Sequence, residues 1–242
     1  MGKNKKKKEY ISEPISSEIL NMYEMIPQHL LDNAENPNFD LHHIKLPFRM
    51  CIVAASGGGK TNYLLNMIRL FCVDDGTFIS IQIISRNKDE PLYRFLETKS
   101  DQIKITEGLQ SLPDLDSFDK DHNHLVVLDD LVLEKNLKPV EEYYIRCRKK
   151  NVSIIFISQS YFRIPKLIRS NCSYLVLLKL SGTRDIRMIL SECGLGLTAE
   201  ELYKVYEYAT AVKLTPLVID LEEAPDKRFR KGFLEIINPS CL

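Results

Sequence analysis

An α/β domain with a mainly parallel sheet and helices on both faces is the fold this sequence predicts, and three observations predict it. Short, near-continuous apolar runs recur along the chain, as strands buried on both faces require. Stretches with helical apolar spacing separate them. One strand-to-helix junction is a run of glycines followed by Lys and Thr. In order, the first strand is 47–54 (PFRMCIVA), and a helix follows Thr61 with Leu64, Leu65, Ile68 and Phe71 on one face. Further strands are 78–85, 124–130, 152–159 and 173–179. Between the third and fourth, 139–150 opens with Pro and acids and closes with bases, the distribution a helix macrodipole favours. Two more helices carry Ile186, Ile189, Leu190 and Cys193, then Leu202, Val205, Tyr206 and Ala209. The runs 216–221 and 232–237 are read as antiparallel edge strands. No internal repeat is present.

The chain has 242 residues, 44% hydrophobic and 27% charged, which excludes disordered, collagenous and coiled-coil classes. No apolar run approaches the roughly 18 residues of a membrane span, and the N-terminus lacks an apolar signal core, so a soluble, unsecreted protein is expected. The 33 basic and 33 acidic residues balance only because Lys3, Lys5, Lys6, Lys7 and Lys8 crowd the start. Without those five, 28 cations face 33 anions, and the body does not read as a general nucleic-acid-coating surface. The tail is either a solvated charge run or a nucleic-acid or import patch. Residues 1–45, with Pro14, Pro27 and Pro37, form the expected basic tail and arm, and 46–242 the folded domain. The six cysteines show no metal-ligand spacing and read as reduced, mostly buried thiols.

The glycine run carries the chemistry. Ala54, Ala55, Ser56, Gly57, Gly58, Gly59, Lys60 and Thr61 form a phosphate-binding loop in its required strand–loop–helix setting, where backbone N–H groups curl around phosphate oxygens. Lys60 reaches the β- and γ-phosphates, and Thr61 offers a hydroxyl to Mg²⁺. Ala54 stands where the usual pattern has Gly, at a point where a methyl group fits. The second element is Leu125 to Leu128 followed by Asp129 and Asp130, because paired carboxylates at a buried strand end need a compensating cation. Asp129 is expected in the Mg²⁺ shell, and Asp130 is expected to orient or deprotonate the attacking water. Gln159, ending the next strand, faces the same crevice and is placed to sense the γ-phosphate or position water. One of Arg146, Arg148 or Arg169 is a candidate arginine finger for a neighbouring subunit, with Arg148 preferred. Helix-end complementation is the plainer reading of Arg146 and Arg148.

On these residues the chain resembles the poxvirus-type genome-packaging ATPases of the FtsK and HerA superfamily, of the kind found in large eukaryotic DNA viruses and virophages. The resemblance covers roughly 47–180 and is most specific over Ser158 to Asn171, which includes Tyr161, Phe162, Arg163 and Arg169. It implies an ASCE/RecA-like P-loop ATPase with an added strand beside the acidic strand's neighbour. It further implies a homo-oligomeric ring, a pentamer or hexamer, that uses ATP and Mg²⁺ to translocate double-stranded DNA into a preformed capsid. Capsid or portal-vertex proteins are the implied partners, and the host cytoplasm, the nucleus or the virion the implied location. Where Asp130 stands, the wider superfamily often has Glu. Candidate DNA contacts are Ser181, Gly182, Thr183, Arg184 and Arg187 with the lysine tail. The alternatives are another P-loop NTPase, DNA-remodelling or kinase-like, and a nucleotide-switched capsid-assembly scaffold. Asn87, Lys88, Asp89 and Glu90 only half match a guanine-reading motif.

Overall fold

The computed structural model describes residues 19, 21–27 and 35–242. The lysine tail lies outside them. Two compact units are distinguished, residues 1–33 and 34–242. Within the first, Met22–Met25 form a 3₁₀ turn. The second unit holds seven helices and nine strands among the described residues. It begins with α1 (Phe39–His42), so residues 34–45, grouped with the arm on sequence grounds, pack with the body. The reason is local. Asn38 donates its amide to the carbonyls of Phe71 and Val73, and buried His42 packs edge-on against Phe71. Burial, with the Arg230 guanidinium behind it, lowers the His42 pKa to about 4 and keeps its ring neutral.

The body continues through β1 (Arg49–Val53), α2 (Lys60–Phe71), β2 (Ser80–Ser85), α3 (Pro91–Glu97), β3 (Ile103–Glu107), β4 (His124–Asp129), α4 (Lys138–Arg146) and β5 (Val152–Ser158). It ends with α5 (Lys166–Arg169), β6 (Tyr174–Leu177), α6 (Arg184–Cys193), α7 (Ala199–Ala209), β7 (Leu217–Asp220), β8 (Phe229–Lys231) and β9 (Glu235–Ile236). All nine strands form one sheet in the order β3-β2-β4-β5-β1-β6-β7-β8-β9. The first six are parallel and the last three antiparallel.

Every residue of β4 and β5 is buried, because alternate side chains enter opposite core layers. Val126 and Leu128 face Val140 and Tyr144 of α4, whereas Leu125 and Val127 share the layer of Leu64 and Met67 of α2. Two strands have no counterpart in the sequence reading. β3 alternates buried Ile103 and Ile105 with exposed Lys104, the half-polar pattern of an edge, and β8 has only three residues. The run at 216–221 forms β7, which is flanked by β6 and β8 and is no edge; the antiparallel edge is β9. Of the cysteines, only Cys51 and Cys147 are buried, while Cys72 and Cys241 are exposed, so "mostly buried" does not hold. Among the described residues no helix is long and apolar enough to cross a membrane.

Candidate functional site

Register sets the site. Val53, the last residue of β1, lies beside Ser158 of β5, and Asp129 of β4 lies beside Ile157. The carboxyl ends of three parallel strands are therefore level, with β5 between the glycine loop and the acidic strand. At about 4.8 Å per strand, the two motifs start about 10 Å apart, within reach of one bound triphosphate. Lys60, Thr61, Ser85, Arg86, Asn87, Glu90, Asp129, Asp130 and Gln159 line one cleft of about 380 Å³ there.

The loop is tightly wound. Gly58 N–H donates to the Ala55 carbonyl at 2.9 Å, and Ala55 N–H to the Lys179 carbonyl at 2.9 Å. A Cβ on Gly58 would lie 2.8 Å from the Ala55 carbonyl oxygen and 2.9 Å from the buried Ala54 methyl. Ala54 thus fits at its position because position 58 has no side chain. Gly59, at φ +91°, ends the loop at the start of α2, the helix terminus that favours anions. Lys60 folds back, its ammonium donating to the carbonyls of Ala54 and Ala55 at 3.3 and 3.4 Å. Gly58→Ala is expected to deform this backbone cradle and cut ATP affinity about tenfold or more. Calorimetric titration checks it, with circular dichroism confirming that the fold is retained.

Opposite the loop, Asp129 is buried and held by two donors: the Tyr93 hydroxyl at 2.7 Å and the Ser85 hydroxyl at 3.3 Å, both to Oδ2. Its pKa is raised, first by burial and then by the Asp130 and Glu90 carboxylates, against the opposing Tyr93 hydrogen bond and Lys60 charge. Asp130 takes the left-handed conformation at φ +56°, one that Asp tolerates better than most residues and that turns the chain sharply at the strand end. Gln159 donates its amide to both Asp130 carboxylate oxygens, at 3.3 and 3.5 Å. The Thr61 hydroxyl donates to Glu90 at 3.4 Å.

Glu90, Tyr93 and Ser85 escaped the sequence reading. None belongs to a local motif; they reach the site because β2 pairs with β4 and sets Ser85 beside Asp129. The half-matched Asn87 to Glu90 segment does sit at the cleft, but through this β2 connection. The donors here are hard oxygens: the Thr61 hydroxyl and the Asp129 and Glu90 carboxylates. Such a set suits Mg²⁺, which binds through one or two carboxylates plus substrate phosphates. Among the described residues no group of three or more His, Cys, Asp or Glu could hold a metal ion unaided.

The three arginine candidates separate. Arg169 is corrected: it is buried at 7% exposure, bound to the Tyr161 and Phe162 carbonyls and paired with Glu192 at 2.9 Å. These contacts fasten the segment after Gln159 to α6, and a buried, paired guanidinium is not free to enter another subunit. Arg146 and Arg148 are exposed, and Arg148 pairs with Glu222 at 3.1 Å. Both precede β5, so the length of that strand, about 20 Å, separates them from their own chain's cleft. Ser181, Gly182, Thr183, Arg184 and Arg187 are all exposed, with the Arg184 guanidinium 3.6 Å from the Phe162 ring centroid.

A six-stranded parallel core, a glycine cradle at a helix start and a carboxylate strand two positions away define a P-loop ATPase. The same fold occurs in the genome packaging NTPase B204 of Sulfolobus turreted icosahedral virus 2. Its AMP complex aligns with 79% of this chain and 100% of its own at a TM-score of 0.56 and 15% identity. The chain belongs to the poxvirus A32 protein family, which it matches over residues 38–219, and it is an ATPase. The B204 complex with ATP-gammaS aligns over the same shares at a TM-score of 0.55 and 14% identity. EssC of Geobacillus thermodenitrificans (ATPases 2 and 3) aligns with 79% of this chain and 40% of its own, at a TM-score of 0.53 and 11% identity. No curated protein sequence matches the chain.

Proposed function

We propose that this ATPase drives double-stranded DNA into a preformed viral capsid, working as a homo-oligomeric ring at a capsid or portal vertex. The observation that carries the reading is the gathering of Lys60, Thr61, Asp129, Asp130 and Gln159 around one cleft in a chain of the A32 family. The likeness to a genome packaging NTPase supports it. Loop amides and Lys60 hold the triphosphate and neutralise its charge. Thr61 and Asp129 would hold Mg²⁺, which supplies charge neutralisation on the phosphates when bound. Asp130, held by Gln159, accepts the proton of the water that attacks the γ-phosphorus as ADP leaves.

Arg148, at the far end of β5, serves the neighbouring subunit's nucleotide, with Arg146 beside it. The exposed Ser181–Arg184 loop and Arg187 meet DNA phosphates. ATP turnover is expected to rise when double-stranded DNA is added and to lose that stimulation as salt increases from about 50 to 200 mM, because phosphate contacts release counterions. Arg148→Ala is expected to bind ATP yet hydrolyse it about 10³-fold more slowly. Mixing it with Lys60→Ala restores part of the activity if the arginine acts between subunits. Turnover indifferent to DNA would remove the translocation reading, and mixing without rescue would remove the arginine's role.

A further inference from the structure

Strand order gives the bound triphosphate a direction. The groups for the γ-phosphate, Asp129, Asp130 and Gln159, all lie at the ends of β4 and β5, on one side of β1. The nucleoside must leave the phosphate loop on the other side, toward β6 and β7. A second cavity of about 410 Å³ opens there, walled by Ala55 to Gly58 on one side and by Thr210 to Thr215, the link from α7 to β7, on the other. Its volume lies in the range of small-molecule sites.

The chemistry of that link is unusual for a surface loop. Val212 and Leu214 are 58% and 42% exposed, two apolar side chains beside a phosphate cradle. Leu214 adopts φ +69°, a left-handed conformation that a leucine holds only under constraint, and such strain collects at ligand clamps. Its side chain also covers the loop, since a Cβ on Gly59 would lie 2.3 Å from Leu214 Cδ2. The link is anchored from behind, where α7 ends with the buried Thr210 hydroxyl donating to the Tyr206 carbonyl and the Tyr206 hydroxyl donating to the Leu178 carbonyl.

We infer that the Thr210–Thr215 link is the nucleoside subsite, with Val212 and Leu214 packing on the faces of the purine base and ribose of ATP while the loop holds its phosphates. This rests on the assignment of the phosphate loop, and the test separates the two. The full-length protein is titrated calorimetrically with ATP-gammaS and with inorganic tripolyphosphate, which has phosphates but no base. Leu214→Gly keeps the left-handed backbone and removes only the side chain; Val212→Ser is the second variant, away from Gly59. Both are expected to weaken ATP-gammaS about tenfold and leave tripolyphosphate unchanged. Lys60→Ala is expected to weaken both ligands.

If both link variants bind ATP-gammaS like the wild type while Lys60→Ala loses it, the subsite assignment is overturned and the phosphate loop stands. Equal weakening of both ligands by the link variants overturns it too, because a base contact cannot act on a ligand without a base. Undiminished binding of both ligands by Lys60→Ala overturns the phosphate-loop assignment and this inference with it.

Discussion

Lys60→Ala is expected to weaken ATP binding by about 100-fold or more, the largest single loss in the molecule. Hydrogen bonds from a charged donor contribute about 1.5–3 kcal/mol each, and the lysine ammonium reaches two phosphates from a loop whose other donors are neutral amides. In the structure that ammonium rests on the Ala54 and Ala55 carbonyls, so the variant gives up no buried ion pair and its fold should persist. Equilibrium binding of a fluorescent ATP analogue, beside a thermal melt, measures both consequences. An unchanged affinity would dismantle the site.

Asp129→Asn is expected to slow hydrolysis by about 100-fold or more while raising the melting temperature of the ligand-free protein. The two effects have one cause. Asp129 is a buried carboxylate whose neighbours include two further carboxylates, so its folded pKa lies above the ordinary value near 4. Below that ordinary value it is neutral in both folded and unfolded chains, and Asn changes little. As pH rises through the raised folded value, the stability of the protonated form is lost in the wild type and not in the variant. The melting-temperature gap should therefore open between about pH 4 and neutrality and then level off. The Tyr93 and Ser85 hydroxyls still have an amide oxygen to bind. A variant less stable than wild type at pH 7 would show that Asp129 is compensated within the chain and needs no cation.

The charge that destabilises the empty cleft is the charge that recruits a cation with the substrate. Stability is given up where function needs an unpaired carboxylate, and the Asp130 backbone in the left-handed region is a second local cost at the same strand end. The hydrogen bond between Gln159 and Asp130 ties the two strand ends together, so a change at the γ-phosphate reaches the segment that Arg169 and Asp185 fasten to α6. That segment leads to the exposed Arg184 and Arg187.

The glycine cradle, its lysine, the paired aspartates and the strand-end glutamine were legible in the chain because each is a run of neighbouring residues on one strand–loop junction. Composition and spacing suffice for such features: a backbone that must curl around phosphate is written in consecutive residues. The parallel core was legible for the same reason, since strands buried on both faces are apolar without interruption. What tertiary structure alone decided is whatever depends on strand pairing. Ser85, Glu90 and Tyr93 join the cleft only because β2 lies beside β4, and the Thr210–Thr215 link meets the phosphate loop only because β7 runs antiparallel beside β6. Arg169 looked in sequence like a free cation, yet burial against α6 fixes it in place, and no periodicity in its neighbours signals Glu192 twenty-three residues on. Local chemistry is carried by adjacent residues; partners brought together across a sheet are set by register, which a single sequence does not spell out.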